Sequence, residues 1–286
     1  MVTRRDAVQR IGYAAAGTLG LGAFGCSARA AREGRSDVTA TPIGVQLYTV
    51  RDAMQESVEA TLAQVAEIGY REVEFWRYYG RTPQQVRETL SAIGLDAPAV
   101  HVPVQSLTQD WERALTDAAT IGHRYLVVAS LPEHMRTTLD DWRRTADTFN
   151  RAGEAAHDVG LQFAYHNHDL EFAPIDGRVP FDVLCEETNP AFVQIELDLF
   201  WIIHGGGDPI AFFERWPGRT PTVHVKDRTR DGQMVDLGAG AIDWPAIFAH
   251  RHRAGIRHYF VEHDQPADPF ASIAASYRYL SQLELS

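Results

Sequence analysis

Beyond residue 41 the chain alternates between two hydrophobic rhythms. Short runs rich in Val, Ile, Phe and Tyr begin near Ile43, Arg71, Leu95, Tyr125, Leu161, Phe192, Thr220 and His258. Runs of this length and composition read as buried strands. Between them, apolar residues recur three and four apart over 56–68, 82–93, 110–121, 138–158 and 243–253, which predicts helices. Gly69, Gly94, Gly122, Gly160 and Gly255 stand just before the next run, where a helix stops on a left-handed residue. A repeat of about thirty residues is one βα unit. The eight runs therefore predict an α/β fold, a (β/α)8 TIM barrel forming a single domain over 41–286. An open doubly wound sheet would want a Gly-rich phosphate loop after the first run, and residues 44–48 (GVQLY) offer none.

Alternation along each run sorts polar from apolar side chains. Ala164, His166 and His168 share a face of the fifth run, and Gln194, Glu196 and Asp198 of the sixth. Thr222, His224 and Lys226 share a face of the seventh, and Phe260, Glu262 and Asp264 of the eighth. Gln46 with Tyr48, Glu72 with Glu74, and His101 come from the first three. The apolar faces must meet the helices, so the polar faces point into the barrel, toward the end where such folds carry their sites. Burying so many ionisable groups is costly unless something pairs with them. A divalent cation gripped by His166, Asp198, His224 and Glu262, from four consecutive runs, solves that problem. Two imidazoles and two carboxylates suit Mn²⁺, Fe²⁺, Co²⁺ or Zn²⁺ better than Ca²⁺. Trp76 and Trp201 follow the second and sixth runs and are placed to stack on a sugar ring. Trp111, Trp142 and Trp244 fall on helices as packing residues, and His134, His157, His250 and His252 read as surface.

The 286 residues are 45% hydrophobic and 23% charged, with a formal net charge of −11. That is globular composition, and the acidic balance disfavours nucleic acid as a partner. Cys26 and Cys185 are too far apart and too few for a disulfide framework. Ahead of the barrel, Arg4 and Arg5 precede a soft apolar run from Ile11 to Gly25, too short and too rich in Gly and Ala to span a bilayer. Residues 1–25 resemble a twin-arginine export signal. Two cleavage readings stay open: an imperfect lipobox ending at lipidated Cys26, or cleavage after Ala28-Arg29-Ala30. Residues 26–40 read as a flexible tether. The expected location is exported and periplasmic, with membrane contact only through a lipid at Cys26.

Several stretches together resemble the sugar phosphate isomerase/epimerase family of xylose-isomerase-like barrels. They are IGVQLYT (43–49), YHNHDLEF (165–172), ELDLFW (196–201), VHVKD (223–227), LGAGAIDW (237–244) and VEHD (261–264). The resemblance covers essentially all of 41–284. It implies one divalent ion, often Mn²⁺ with Zn²⁺, Co²⁺, Fe²⁺ or Mg²⁺ as alternatives, held by a Glu, an Asp, a His and a Glu from the last four strands. Asp198, His224 and Glu262 match by position, whereas His166 stands where the sugar epimerases have Glu. Those epimerases also have His three residues after the Asp, and here that residue is Trp201. The same Trp breaks the zinc set of the endonuclease relatives.

The resemblance implies proton abstraction alpha to a carbonyl through a metal-bound enediolate, because a chelated carbonyl acidifies its neighbouring C–H. Glu262 is the expected base and His168 a second acid/base. Lys226 either neutralises the developing oxygen or forms a plain salt bridge with Asp198 or Asp227. Gln46, Tyr48, Glu74, Trp76, His101 and Trp201 are expected to contact substrate. The expected function is thus a metal-dependent sugar isomerase or epimerase acting on a small carbohydrate. The alternatives are a lyase or hydratase on 3-keto-glycosides and a carbohydrate-binding barrel without turnover. Export favours an unphosphorylated sugar, although Arg228 and Arg230 keep a phosphate open.

Overall fold

The apolar runs fold as parallel strands that pair with their neighbours until the last meets the first. The computed structural model describes residues 42–283; the expected export signal, the two candidate cleavage sites and the expected tether lie outside the described residues. The barrel strands are β1 (Ile43–Gln46), β2 (Glu72–Phe75), β3 (Asp96–Val102), β4 (Tyr125–Val128), β5 (Gln162–His166), β6 (Val193–Asp198) and β7 (Thr222–Val225). A small antiparallel hairpin, β8 (Asp227–Arg228) with β9 (Met234–Val235), stands outside the ring. Then β10 (His258–Val261) closes it, pairing Tyr259 with Ile43 and Phe260 with His224.

Four expected helices stand within two residues of their sequence bounds: Val58–Ile68, Pro83–Ile93, Trp111–Ile121 and Leu139–Asp158. Thr82 and Thr138 start two of them with reciprocal caps, to Gln85 and Asp141. The glycines at 69, 94, 122, 160 and 255 all have positive φ, between 79° and 125°. The expected helix over 243–253 is instead two short ones, Trp244–Phe248 and Arg251–Ala254. There the ladder tightens: His250 N–H reaches back only to Ile247 O.

The main core is the ring between strands and helices, where Val45, Val73, Leu126, Phe163, Ile195, Leu197, Val223 and Val225 are fully buried. Trp142 and Trp244 are buried there with Trp111, as packing residues. Ala99, Tyr125, Val127, Ala164 and Phe260 form a separate hydrophobic cluster. Phe260 belongs to it because Gly44 leaves room; a Cβ at 44 would lie 2.6 Å from the Phe260 ring. That ring stands between His224 and His258, at centroid distances of 6.2 and 6.4 Å. On the His258 side, His258 Nδ1 lies 2.9 Å from Glu72. Of the expected surface histidines, His134, His157 and His252 are exposed, while His250 is half-buried against Glu214.

Candidate metal centre and cavity

The polar strand ends gather into a buried basin under an open cavity. In the basin, Gln46 donates to Glu74 at 2.8 Å, and Glu74 Oε2 lies 2.6 Å from His224 Nε2. Glu196 Oε1 stands 2.8 Å from His101 Nε2 and 3.1 Å from His224 Nε2.

Both imidazoles of the expected metal set stand between carboxylates. His166 turns Nε2 toward Asp198 Oδ2 at 3.8 Å and Nδ1 toward Glu196 Oε1 at 3.5 Å. His224 turns Nδ1 toward Asp198 Oδ2 at 3.8 Å and Glu262 Oε2 at 2.7 Å, leaving Nε2 to Glu74 and Glu196. Ligands bound at about 2.1 Å set neighbouring donor atoms roughly 3–3.5 Å apart. Asp198, His224 and Glu262 bring one donor atom each within 4.8 Å of one another, at neighbouring spacings of 3.8 and 2.7 Å, and His166 borders this set 3.8 Å from Asp198 without joining it within that distance. The opposite ring nitrogens face Glu196 and Glu74, as when a metal-ligating histidine donates its second N–H to a carboxylate. Glu196 Oε2, Glu74 Oε1 and His166 Nδ1 are buried without a hydrogen-bond partner, and Asp198 Oδ2 has the Lys226 ammonium at 2.9 Å. The residues thus fit a divalent ion. A second grouping, His101, His166, Glu196 and His224, also brings ligand atoms within 4.8 Å and shares His224 with Asp198 and Glu262.

Lys226 supplies positive charge beside this set. Its Nζ lies 2.7 Å from Glu262, 2.9 Å from Asp198 and 2.9 Å from Asp264. Burial pushes the ammonium toward neutrality, but these carboxylates outweigh it and hold its pKa well above the usual value. Burial also opposes ionisation of Glu262, and the charges of Lys226 and His224 overcome it. Asp198 is pushed up to about 6 by burial, against the pull of Lys226 and His224. Glu74 is pushed up to about 7 by burial and the Glu196 charge, whereas the imidazoles around Glu196 hold it low despite its burial. Burial and the Lys226 charge pull His168 down to about 4, so its imidazole is neutral at pH 7.

Of the two salt-bridge partners expected for Lys226, Asp198 is paired with it and Asp227 is not. Asp227 instead accepts from the N–H groups of Gly238, Gly240 and Ile242 and from the Trp244 indole, at 2.9–3.3 Å. One carboxylate so fixes the LGAGAIDW loop. A Cβ at Gly240 would come 2.1 Å from Asp227 Oδ1, so only glycine fits there. The YHNHDLEF stretch is similarly braced. Asn167 accepts from Asp198 N–H at 2.9 Å, Tyr165 donates to Glu171 at 2.6 Å, and Glu171 accepts from His168 N–H at 3.0 Å.

The cavity above the basin measures about 870 Å³. Tyr48, Trp76, His101, His166, His168, Lys226 and Glu262 all line it.

A model of the xylose isomerase-like TIM barrel family matches residues 62–283. The chain belongs to that family. An inosose dehydratase of Geobacillus kaustophilus (strain HTA426) is 24% identical over 234 residues, 67% of this chain and 74% of that protein. A sugar phosphate isomerase/epimerase from Parabacteroides distasonis ATCC 8503 superposes with a TM-score of 0.76 at 26% identity, covering 86% of this chain and 99% of that one. The IOLI protein, solved with a binding zinc atom, shares the fold at a TM-score of 0.67 and 14% identity, covering 84% of this chain and 96% of that one.

Within this xylose isomerase-like barrel, several expected substrate contacts take other places. Gln46 and Glu74 are fully buried beneath the cavity, where they brace His224. Trp201 stands beside the cavity, 5.6 Å from the His168 ring and 5.8 Å from Lys226 Nζ, and does not line it. Arg228 and Arg230 line a different cavity of about 500 Å³ that shares no residue with the first, so they offer it no phosphate clamp. Glu196 belongs to the centre although sequence reasoning passed it over. The signal was its shared face with Asp198, and the register explains the miss. His166 pairs with Glu196, whereas His224 pairs with Asp198 two residues farther on. The tilt of barrel strands makes this stagger. Asn167, Glu171 and Asp264 were missed as well.

Proposed function

We propose that this barrel removes the proton next to the carbonyl of a small polyhydroxylated ketone and expels the oxygen one carbon beyond, acting as a lyase. The observation that carries the reading is the meeting of proton acceptors and donors on one cavity wall, above a basin that fits a divalent ion. Glu262 and the neutral imidazole of His168 face the cavity as acceptors. The ammonium of Lys226, steadied by Asp198 and Asp264, faces it as a donor. An ion at His166, Asp198, His224 and Glu262 would supply a Lewis acid for the carbonyl oxygen. Glu262 or His168 takes the alpha proton, the C–H electron pair becomes a C=C bond, and the C–O bond breaks. Lys226 then gives a proton to the departing oxygen.

Inosose dehydratase relatives support elimination over the isomerase or epimerase reading. So does His166, which leaves no carboxylate on the fifth strand to work opposite Glu262. The Parabacteroides neighbour supports isomerisation, in which the same proton returns to the adjacent carbon. Two imidazoles beside carboxylates suit Zn²⁺ as well as Mn²⁺. We place the reaction outside the cytoplasm on the strength of the twin-arginine stretch, which favours an unphosphorylated substrate.

The test uses purified protein reconstituted with Mn²⁺ or Zn²⁺, in D2O, with a panel of keto-sugars and keto-cyclitols. NMR should show deuterium at the alpha carbon, with enone absorbance growing alongside, and Glu262→Gln should abolish both. Exchange without enone would make the protein an isomerase. Binding without exchange would make it a carbohydrate-binding barrel and overturn the enzyme reading.

A further inference from the structure

In the basin lies a donor set distinct from that of Asp198, His224 and Glu262. Glu196 Oε1 faces three ring nitrogens: His101 Nε2 at 2.8 Å, His224 Nε2 at 3.1 Å and His166 Nδ1 at 3.5 Å. One donor atom from each of these residues lies within 4.8 Å of the others. The three rings stand 4.5–5.4 Å apart by their centroids. Glu74 Oε2 adds a second buried carboxylate, 2.6 Å from His224 Nε2 and 3.5 Å from His101 Nε2.

Hydrogen bonding alone does not explain the convergence. Three nitrogens crowd one carboxylate oxygen, while Oε2 of the same carboxylate and His166 Nδ1 are buried with no hydrogen-bond partner. Glu196 is 0% exposed and His166 2%. Among the described residues, Glu74 and Glu196 pair only with imidazoles, whereas Asp198 and Glu262 already hold the Lys226 ammonium. One dication among three neutral rings would balance those two buried carboxylates. A tetrahedral ion with bonds of about 2.1 Å sets its donors about 3.4 Å apart. The spacings of 2.8, 3.1 and 3.5 Å straddle that value. Three imidazoles and one carboxylate make a nitrogen-rich set that suits Zn²⁺ or Co²⁺. His101 and His166 also line the cavity, which gives an ion its way in.

We infer that His101, His166, Glu196 and His224 form a four-coordinate divalent-ion site of their own, beside the set that holds Lys226. It takes His224 through Nε2, whereas Asp198 and Glu262 face Nδ1 of the same ring. The site stands on these donors and does not depend on the lyase reading, so the two can fail separately.

Co²⁺ reports this site without any sugar. Added to the chelator-treated full chain, it should give the strong visible bands of a four-coordinate ion, and Zn²⁺ should displace it and erase them. Glu262→Gln removes a carboxylate of the other set and should keep the bands. His101→Gln, at the partly exposed edge of the site, should lose them, with Zn²⁺ affinity falling at least about tenfold in calorimetry. Glu196→Gln provides a second variant should the first fail to fold. Bands absent from the wild type, or bands that survive His101→Gln and vanish in Glu262→Gln, would overturn the site. Strong bands in a protein that neither exchanges the alpha proton nor forms enone would uphold the site and remove the lyase reading.

Discussion

Replacing Lys226 with methionine keeps most of the side-chain volume and deletes one charge. In the wild-type protein that charge lies within 2.7–2.9 Å of Glu262, Asp198 and Asp264, and Lys226 is buried. Breaking a buried ion pair from one side costs about 3–5 kcal/mol, because the remaining charge is left uncompensated. A domain of this size loses roughly 2–4 °C of Tm per kcal/mol, so the metal-free variant should melt roughly 6–20 °C lower. A divalent ion changes the sign of the comparison. In the variant, Asp198, His224 and Glu262 offer an undiluted negative site, so Zn²⁺ or Mn²⁺ should bind more tightly and raise Tm more than in the wild type. Differential scanning fluorimetry after chelator treatment, then along a metal titration, reads both effects. If the metal-free variant melts with the wild type, or metal lifts both by the same amount, Lys226 does not share these carboxylates with an ion.

Glu196→Gln keeps the shape of the group that braces His166 and His224 but removes its charge. It should weaken Zn²⁺ affinity by about 10–100-fold in calorimetry, and unchanged affinity would remove Glu196 from the centre. His123 is buried with its pKa pulled down to about 4 by desolvation, against an unfolded value near 6.5. The unfolded chain therefore takes up a proton below about pH 6.5 that the folded chain refuses until about pH 4, costing roughly 3 kcal/mol across that window. His123→Gln should flatten the fall in urea-unfolding free energy between pH 7 and 4.5 by that amount, and an unchanged slope would refute it. Arg4→Lys with Arg5→Lys should strand the protein in the cytoplasm on cell fractionation, whereas continued export would dismiss the twin-arginine reading.

Much of the barrel was legible because its strands bury both faces, and parity alone separates the two sets. Val223 and Val225 face the helices while Thr222 and His224 face inward, as alternation requires. Parity does not give height. Strand stagger brings Glu196 level with His166, and it sinks Gln46 and Glu74 below the cavity floor. Asp227 reads as a salt-bridge candidate in sequence because most of its partners are backbone N–H groups ten or more residues away, which no pattern of side chains announces. Trp201 follows β6 as expected, but its helix Leu199–His204 starts on the Asp198 side chain, and the indole stands beside the opening.

The plug of Phe260, Ala99, Val127 and Ala164 has a consequence for protons. Apart from Tyr125, packed 5.6 Å from the His258 ring, this cluster offers no titratable side chain between His224 above and the Glu72–His258 pair below. Among the described residues no chain of titratable side chains joins His224 to His258 through this layer. The titratable side chains that could carry a hydrogen away from a bound molecule thus stand on the side of the opening through which that molecule entered.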